Sequence, residues 1–469
     1  MTRRTKDLNG FLTRLADAGD NASALYELYV WCISVDLNLE GESLLRAILR
    51  RDPDHVEAHR GLGHARHEGR WFASQRALDH HLAGQSEEAA IARGHVKHRT
   101  EFMHPDERAR ASKGLERHLL NGQWLGAAER RKLRDGWVQQ DREWISPEEF
   151  PSLDRGLWRV DGEWLDIETA NARRSSPGAM WEIPGSLVSV RATVDREVAL
   201  KARENAERAI ADLEKVFGVV PELPLTITVL RDEEQYDRFA FGSPDGSRPG
   251  TSTTRMHAVH SAYFAESWFV PYRRKWKYHG EGVCYWDALI PYGDLYGVHS
   301  ARLACGLSYV DAIDPSGKTT RKAAGKGPSN EYLADFEAEK QIPRWLRYGG
   351  AVYAERFFRD DTVAEDGDPF WARRWSLENL AGRGGMRDLE DVLAFEIDPD
   401  DRADGQKYLI EAGLLVSFLV DGGHPDVEVA FAQWKRALAE GKVRAEHVEV
   451  LHEALRAASD ALAAYATVE

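Results

Sequence analysis

His257 and His260 stand at His-x-x-His spacing just before a segment that reads as an edge strand, and His279, Glu281 and Cys284 fall in a glycine-flanked loop. Imidazole, carboxylate and thiolate are the groups that hold transition metals, so either set is a candidate for an unorthodox metal site. Neither sits on a recognisable helix beside a third ligand. His55 and His59 lie one helical turn apart, a spacing able to chelate a metal. Their charged flanks, and the lack of a placed carboxylate or thiol, favour a solvated face. Gly317-Lys318-Thr319 echoes a phosphate loop, yet Ala312 holds the earlier position where such a loop needs glycine. The surrounding stretch, Ser316 to Asn330, reads as a basic, flexible insertion. His452-Glu453 has no second histidine a turn later, and the chain carries no Gly-x-Ser-x-Gly elbow.

The elements that must position these groups fall into three textures. Residues 1–118 read as a helical region. Leu45, Ile48 and Leu49 share a helix face that Asp52-Pro53 ends. Val56, Ala58, Leu62 and Ala65 then start a second helix, with Gly61 and Gly63 where two helices approach closely. Apolar helix, Asp-Pro and a helix carrying Leu-Gly resemble the junction of two tetratricopeptide units. An ordinary helical hairpin remains the alternative. Residues 119–185 form a Trp/Gly-rich connector, with Gly122-Gln-Trp124, Gly136-Trp137-Val138, Arg142-Glu-Trp144-Ile145, Gly156-Leu-Trp158 and Gly162-Glu-Trp164 recurring and Trp71 as an outlying copy. Asp161-Gly162 signals a hairpin, and Ser146-Pro147 caps a helix start. Each indole is expected to pin a hairpin too short to stabilise itself, with an aromatic binding groove as the other reading.

Residues 186–469 are the largest part, strand-rich over 186–300 and helical over 300–469, with an insertion at about 314–330. Val188, Val190 and Ala192 alternate as a strand, and Leu225, Ile227 and Val229 do the same. Between them Ala199, Ala202, Ala206, Ile210, Leu213 and Phe217 form a helical stripe, capped by Asp195 and ended by Gly218. Asp232 opens a further helix, and Ser261 to Ala265 is a short strand candidate. The predicted fold class is therefore α+β.

Composition bounds the function. The chain has 469 residues, 43% of them hydrophobic, enough for a real core, and 62 Lys+Arg against 77 Asp+Glu give a net charge of −15. That acidity argues against duplex nucleic-acid binding. The longest apolar run, Ala412 to Val420, is interrupted by Ser417 and falls short of a membrane span. The N-terminus has basic residues without an apolar stretch behind them, so no secretory signal is expected. Cys32, Cys284 and Cys305 are widely spaced and fit a reducing, cytoplasmic compartment.

One run is specific. Pro343, Trp345, Leu346, Gly349, Ala351 and Tyr353 fit, in order, the pattern Pro-x-Trp-hydrophobic-x-Glu-Gly-x-Ala-x-Tyr around the third zinc ligand. On these residues the segment from 187 to 469 resembles the gluzincin-type, peptidase MA-like metallopeptidases. Tyr408, Ala412, Leu415 and Phe418-Leu419 are similar to a later helix of that family. The resemblance implies strand, helix, strand, helix, edge strand, zinc helix, and then a mostly helical half. Many bacterial members carry tetratricopeptide-like and Gly-x-Trp segments upstream, as here.

The chemistry the resemblance implies is missing at the matching positions. The family binds zinc through His-Glu-x-x-His on a helix, with the glutamate as general base and a carboxylate from a later helix. Here His299 matches the first ligand, Ser300 replaces the base, Leu303 the second histidine and Tyr348 the third ligand. One imidazole and a phenol are too weak to retain zinc, and Arg302 and Arg347 add repelling charge. Tyr348 is expected to bond His299 as a polar cross-link in place of the metal. The sequence thus points to a catalytically inactive scaffold for a protein or extended peptide, with no cofactor, metal, nucleic acid or membrane. Two alternatives remain: an active metal-dependent peptidase with non-standard ligands, and a helical adaptor whose C-terminal module is structural.

Overall fold

The computed structural model of the chain describes residues 3–99, 101–242, 261–270, 275–316, 340–356, 371–396, 398 and 401–467. His257, His260, Gly317-Lys318-Thr319 and most of the expected insertion lie outside these residues. The chain divides into two units, one of Met1–Leu82 with Arg110–Ser186 and one of Ala83–Ala109 with Leu187–Glu469.

The first unit opens with helices Arg3–Ala18, Ala22–Ser34 and Asn38–Arg51. Asn21 caps the second of these by accepting from the amides of Ser23 and Ala24. Phe11, Leu25, Leu28, Cys32, Leu44 and Ile48 close the core between them. Asp52 ends the third helix as its spacing predicts, but the next helix, Val56–Gly61, has only 6 residues. From Ala65 the region expected to be helical to 118 alternates short hairpins with the helices Gln75–Ala83, Glu87–Ala92 and Pro105–Ser112. Ala65–His67 pairs with Arg70–Phe72 across a turn in which Glu68 and Gly69 take left-handed backbone.

The same device recurs. Val138–Gln140 pairs with Glu143–Ile145, and Trp158–Val160 with Glu163–Leu165, the latter across the Asp161-Gly162 turn the sequence predicts. Side-chain amides link successive hairpins: Asn121 donates to Gln139 at 2.8 Å, and Gln140 donates to the Leu157 carbonyl at 2.9 Å. The Ser146 cap is present, with the Glu149 carboxylate accepting from its amide at 3.1 Å.

The second unit is built on a mixed sheet. Its strands run Val188–Ala192, Leu225–Leu230, Lys275–Tyr285 and Ala262–Val270 in order, the first three parallel and the last antiparallel. The helix Arg196–Phe217 lies in the crossover between the first two strands, as a parallel pair requires. Every residue of its predicted stripe is buried. Asp195 stands at its N-cap without a side-chain cap bond, whereas Asp232 accepts from Gln235 as expected.

Lys275–Tyr285 was not foreseen as a strand: the segment of His279, Glu281 and Cys284 is a central strand and no loop. Gly280 and Gly282 disguise it. The glycine at 282 is needed because a Cβ there would stand 1.9 Å from the Ala304 carbonyl oxygen of the helix lying on that face. On the opposite face, Glu281 takes both its oxygens to Arg191, at 3.0 and 3.1 Å, and accepts from Thr228 at 3.0 Å.

Helices Gly293–Ile313, Arg344–Arg356, Arg402–Asp421, Pro425–Ala439 and Ala445–Ala457 make up most of the remainder. The expected insertion is anchored where it begins. Asp314 is buried and accepts from the Ser316, Gln341 and Ile342 amides, so one carboxylate ties residues on both sides of 317–339. Among the described residues no helix is long and apolar enough to cross a membrane.

Candidate functional site

The run at 343–353 owes its residue types to helix packing. Pro343 supplies the first carbonyl of the Arg344–Arg356 helix, accepting from Leu346 at 3.0 Å and Arg347 at 2.9 Å. Trp345 and Leu346 are buried, and the Trp345 indole donates to His452 at 3.1 Å. A Cβ at Gly349 would fall 2.3 Å from the Ala412 carbonyl oxygen, which is how closely the Arg402–Asp421 helix approaches. Ala351 meets Gly306 of the Gly293–Ile313 helix. The Tyr353 hydroxyl donates to Asp421 at 2.9 Å. Helices 293–313, 344–356 and 402–421 are thereby locked together.

The four positions matching the zinc motif lie on these helices. Leu303 is buried in the core. Ser300 is also buried, and its hydroxyl bonds the Ser261 hydroxyl at 2.7 Å and the Tyr296 carbonyl at 2.9 Å. His299 Nδ1 lies 3.2 Å from the backbone carbonyl of Glu355. Tyr348 is half-buried, with the Arg347 guanidinium 5.7 Å from its ring centroid. Glu355 stands two turns beyond Tyr348, roughly 10 Å along the helix at 1.5 Å per residue. The structure thus gives His299 a main-chain partner at Glu355, which the expected cross-link to Tyr348 did not foresee.

Of the other metal candidates, His257, His260 and the His279 side chain lie outside the described residues, and Glu281 and Cys284 do not converge. Glu281 and Cys284 are an odd number of residues apart on one strand, so their side chains leave opposite faces. Glu281 is committed to Arg191 and Thr228, and burial holds the Cys284 thiol well above its ordinary value. Among the described residues no group of three His, Cys, Asp or Glu is arranged to hold a metal. His59, expected on a solvated face, is buried at 4% exposure. Its ring stacks on Trp71 at 3.7 Å, its Nδ1 meets His64 Nδ1 at 2.7 Å and its Nε2 meets the Pro53 carbonyl at 2.8 Å. His55 instead caps the next helix, accepting from Ala58 at 3.2 Å.

Two polar groupings escaped the sequence. In one, Lys215 donates to Asp421 at 2.7 Å and reaches Tyr353 at 3.3 Å. Burial, reinforced by Asp421 and opposed by Arg302 and Lys215, pushes the nearby Asp212 carboxyl up to about 7. Tyr353 belongs to the specific run and was the one available signal.

In the other, Tyr408 stacks on Phe395 with ring centroids 4.5 Å apart, while the Arg387 guanidinium lies 4.3 Å over Phe395. Arg387 binds the fully buried Glu411 through its amide at 2.9 Å and Nε at 2.7 Å. Arg344 donates to the Phe395 carbonyl at 3.4 Å. Burial is the largest influence raising the Tyr408 phenol, and Arg344, Arg347 and Arg387 oppose it. Arg344 and Arg347 of this grouping lie on the same helix as Tyr348.

The chain matches no family model, no curated protein and no solved structure.

Proposed function

We propose that the chain is a catalytically inactive gluzincin-like protein that holds a protein or an extended peptide. The observation that carries this reading is the commitment of the motif positions to internal structure. The His299 Nδ1 faces the Glu355 carbonyl, while Ser300 is bonded to Ser261 and Tyr296 and Leu303 packs in the core, so the base and second-ligand positions carry no group able to bind a metal or activate its water. A hydrolytic centre needs ligands and a base that converge on an open position, and these residues face different partners. The strand Ala262–Val270 ends the order of the sheet, and such an edge accepts an extended peptide by main-chain pairing.

The test uses the full-length chain, supplied with zinc and then dialysed, against a library of extended peptides, with binding and cleavage read together by mass spectrometry. The expected result is peptides retained intact and no stoichiometric zinc. Cleavage abolished by a chelator would establish the peptidase alternative. A chain that retains no peptide removes the scaffold reading.

A further inference from the structure

Five large apolar side chains within residues 289–296 are exposed. Leu289 is 96% exposed and Tyr292 75%, and Ile290, Leu295 and Tyr296 stand out with them. A contiguous apolar cluster of this kind marks a surface that another molecule covers. The loop that carries it is anchored at both ends. The Trp286 ring is buried, its indole donates to Asp294 at 2.9 Å, and a Cβ at Gly297 would stand 2.1 Å from that ring. Gly293 returns against Asp287, where a Cβ would fall 1.8 Å from the carbonyl oxygen. Tyr292 takes left-handed backbone, with φ 60°, at the N-cap of the helix Gly293–Ile313, and its side chain makes no cap bond. Glycine or asparagine takes that conformation at less cost, so a tyrosine there serves the surface and not the turn.

The rim of this apolar shelf is acidic. From Tyr285 to Ala301 the sequence holds Asp287 and Asp294 and neither lysine nor arginine. Among the described residues neither aspartate has a salt-bridge partner: Asp287 accepts from the Leu289 amide at 3.0 Å and Asp294 from the Trp286 indole. Burial raises the neighbouring Tyr285 phenol, with Glu233, Asp237 and Asp287 adding to it and Arg402 opposing it, so carboxylates outnumber guanidinium there. The whole chain carries −15. A second copy would set like charges together, and an anionic membrane would be repelled. A cationic chain with large apolar side chains matches both the shelf and its rim. The shelf also adjoins the start of the edge strand Ala262–Val270. Ser261, the residue before that strand, bonds Ser300, whose hydroxyl donates to the Tyr296 carbonyl at 2.9 Å.

We propose that Leu289, Ile290, Tyr292 and Tyr296 form a docking shelf for a basic peptide segment carrying large apolar side chains, with Asp287 and Asp294 meeting its positive charges. The proposal rests on the scaffold reading above and names the chemistry of the partner. Apolar contact supplies the affinity, and the acidic rim selects the sign of the partner's charge.

The experiment is fluorescence anisotropy of labelled peptides titrated with the full-length protein. The probes are acetyl-Lys-Leu-Lys-Trp-Lys-Leu-Lys-amide and the two peptides with Ser or Glu in place of every Lys. Saturable binding that weakens in the order Lys, Ser, Glu is expected, and added salt should weaken the Lys peptide most. Leu289→Ser and Tyr292→Gly should each weaken it by about tenfold, as loss of one buried apolar side chain does. Tyr292→Gly suits the left-handed turn better than the parent, so its effect cannot come from unfolding. Asp287→Asn keeps an acceptor for the Leu289 amide but removes the charge, and should weaken the Lys peptide while leaving the Ser peptide unchanged. The proposal fails if no probe saturates, if the Glu peptide binds as tightly as the Lys peptide, or if Leu289→Ser and Tyr292→Gly bind like the parent. It fails too if Leu289→Ser abolishes a dimer seen by sedimentation, or adsorption to phosphatidylcholine–phosphatidylserine vesicles, since the shelf then serves a second copy or a membrane. Library peptides retained equally by the parent and by Leu289→Ser would remove the shelf and leave the scaffold reading standing.

Discussion

At the scale of single residues, burial turns two histidines of this chain, His64 and His95, into neutral structural groups. His59 makes a bond through each ring nitrogen, and burial, reinforced by His59 and Arg46, holds His64 down at about 4. His95 is likewise held at about 4 by burial, with Arg93 and His104 adding to it. A histidine whose folded value lies below its unfolded value near 6.5 contributes its stability above that value. The contribution is lost as pH falls from 6.5 towards 4, because the unfolded chain then takes up protons that the folded chain refuses. His64→Gln keeps a donor for His59 but cannot titrate. Melting temperature measured from pH 7.5 to 4.5 should fall less steeply in His64→Gln than in the parent, and parallel curves would show that His64 is not an acid-sensitive contact. Sequence spacing showed only that His55 and His59 share a turn. The partners that decide their roles, Pro53, His64 and Trp71, meet them through a loop and a hairpin that no periodicity specifies.

At the scale of elements, what was legible was what repeats. The stripe on Arg196–Phe217, the alternation in Val188–Ala192 and Leu225–Leu230 and the Asp161-Gly162 turn follow from local period and turn chemistry. The strand Lys275–Tyr285 was hidden because its glycine at 282 answers to a helix more than twenty residues away in sequence, a constraint that has no local pattern. Close approach also governs the pairing of the Gly293–Ile313 and Arg344–Arg356 helices. A Cβ on Gly306 would stand 2.7 Å from the Ala351 Cα, and backbone cannot move aside as a side chain can. Gly306→Ala should therefore lower unfolding free energy by about 1–3 kcal/mol, the cost of overpacking a filled core. Gly382→Ala, whose nearest neighbour would be an oxygen 3.6 Å away, should change it by less than about 0.5 kcal/mol. Guanidinium denaturation of both variants measures the difference. Equal midpoints would mean that the two helices separate easily, and the locked arrangement around His299 and Ser300 would lose its support.

At the scale of the whole molecule, the division of the chain does not follow the order of its textures. Boundaries near 118 and 185 are natural in the sequence, but Ala83–Ala109 belongs to the same unit as Leu187–Glu469. The hairpin Val96–His98 with Glu101–Met103 has the local form of Val138–Gln140 with Glu143–Ile145, which lies in the other unit. Local form specifies a hairpin and says nothing of where it docks. Docking is specified by Arg93, buried at 5% exposure, whose guanidinium reaches Glu214 at 2.5 Å and whose carbonyl accepts from Val220 at 3.4 Å. A fragment of residues 187–469 would lack both contacts and leave Glu214 without this partner. It should unfold at a lower temperature than the same unit in the full chain, and a synthetic peptide of residues 83–109 should bind it and restore part of the difference. Arg93→Ala in that peptide should remove most of the effect, since leaving one member of a largely buried pair costs roughly 1–3 kcal/mol. Should the fragment melt at the full-chain temperature and ignore the peptide, residues 83–109 would be a bystander. The helical-adaptor alternative could then be tested by cutting the chain near 185, a cut that otherwise damages the unit whose binding it is meant to isolate.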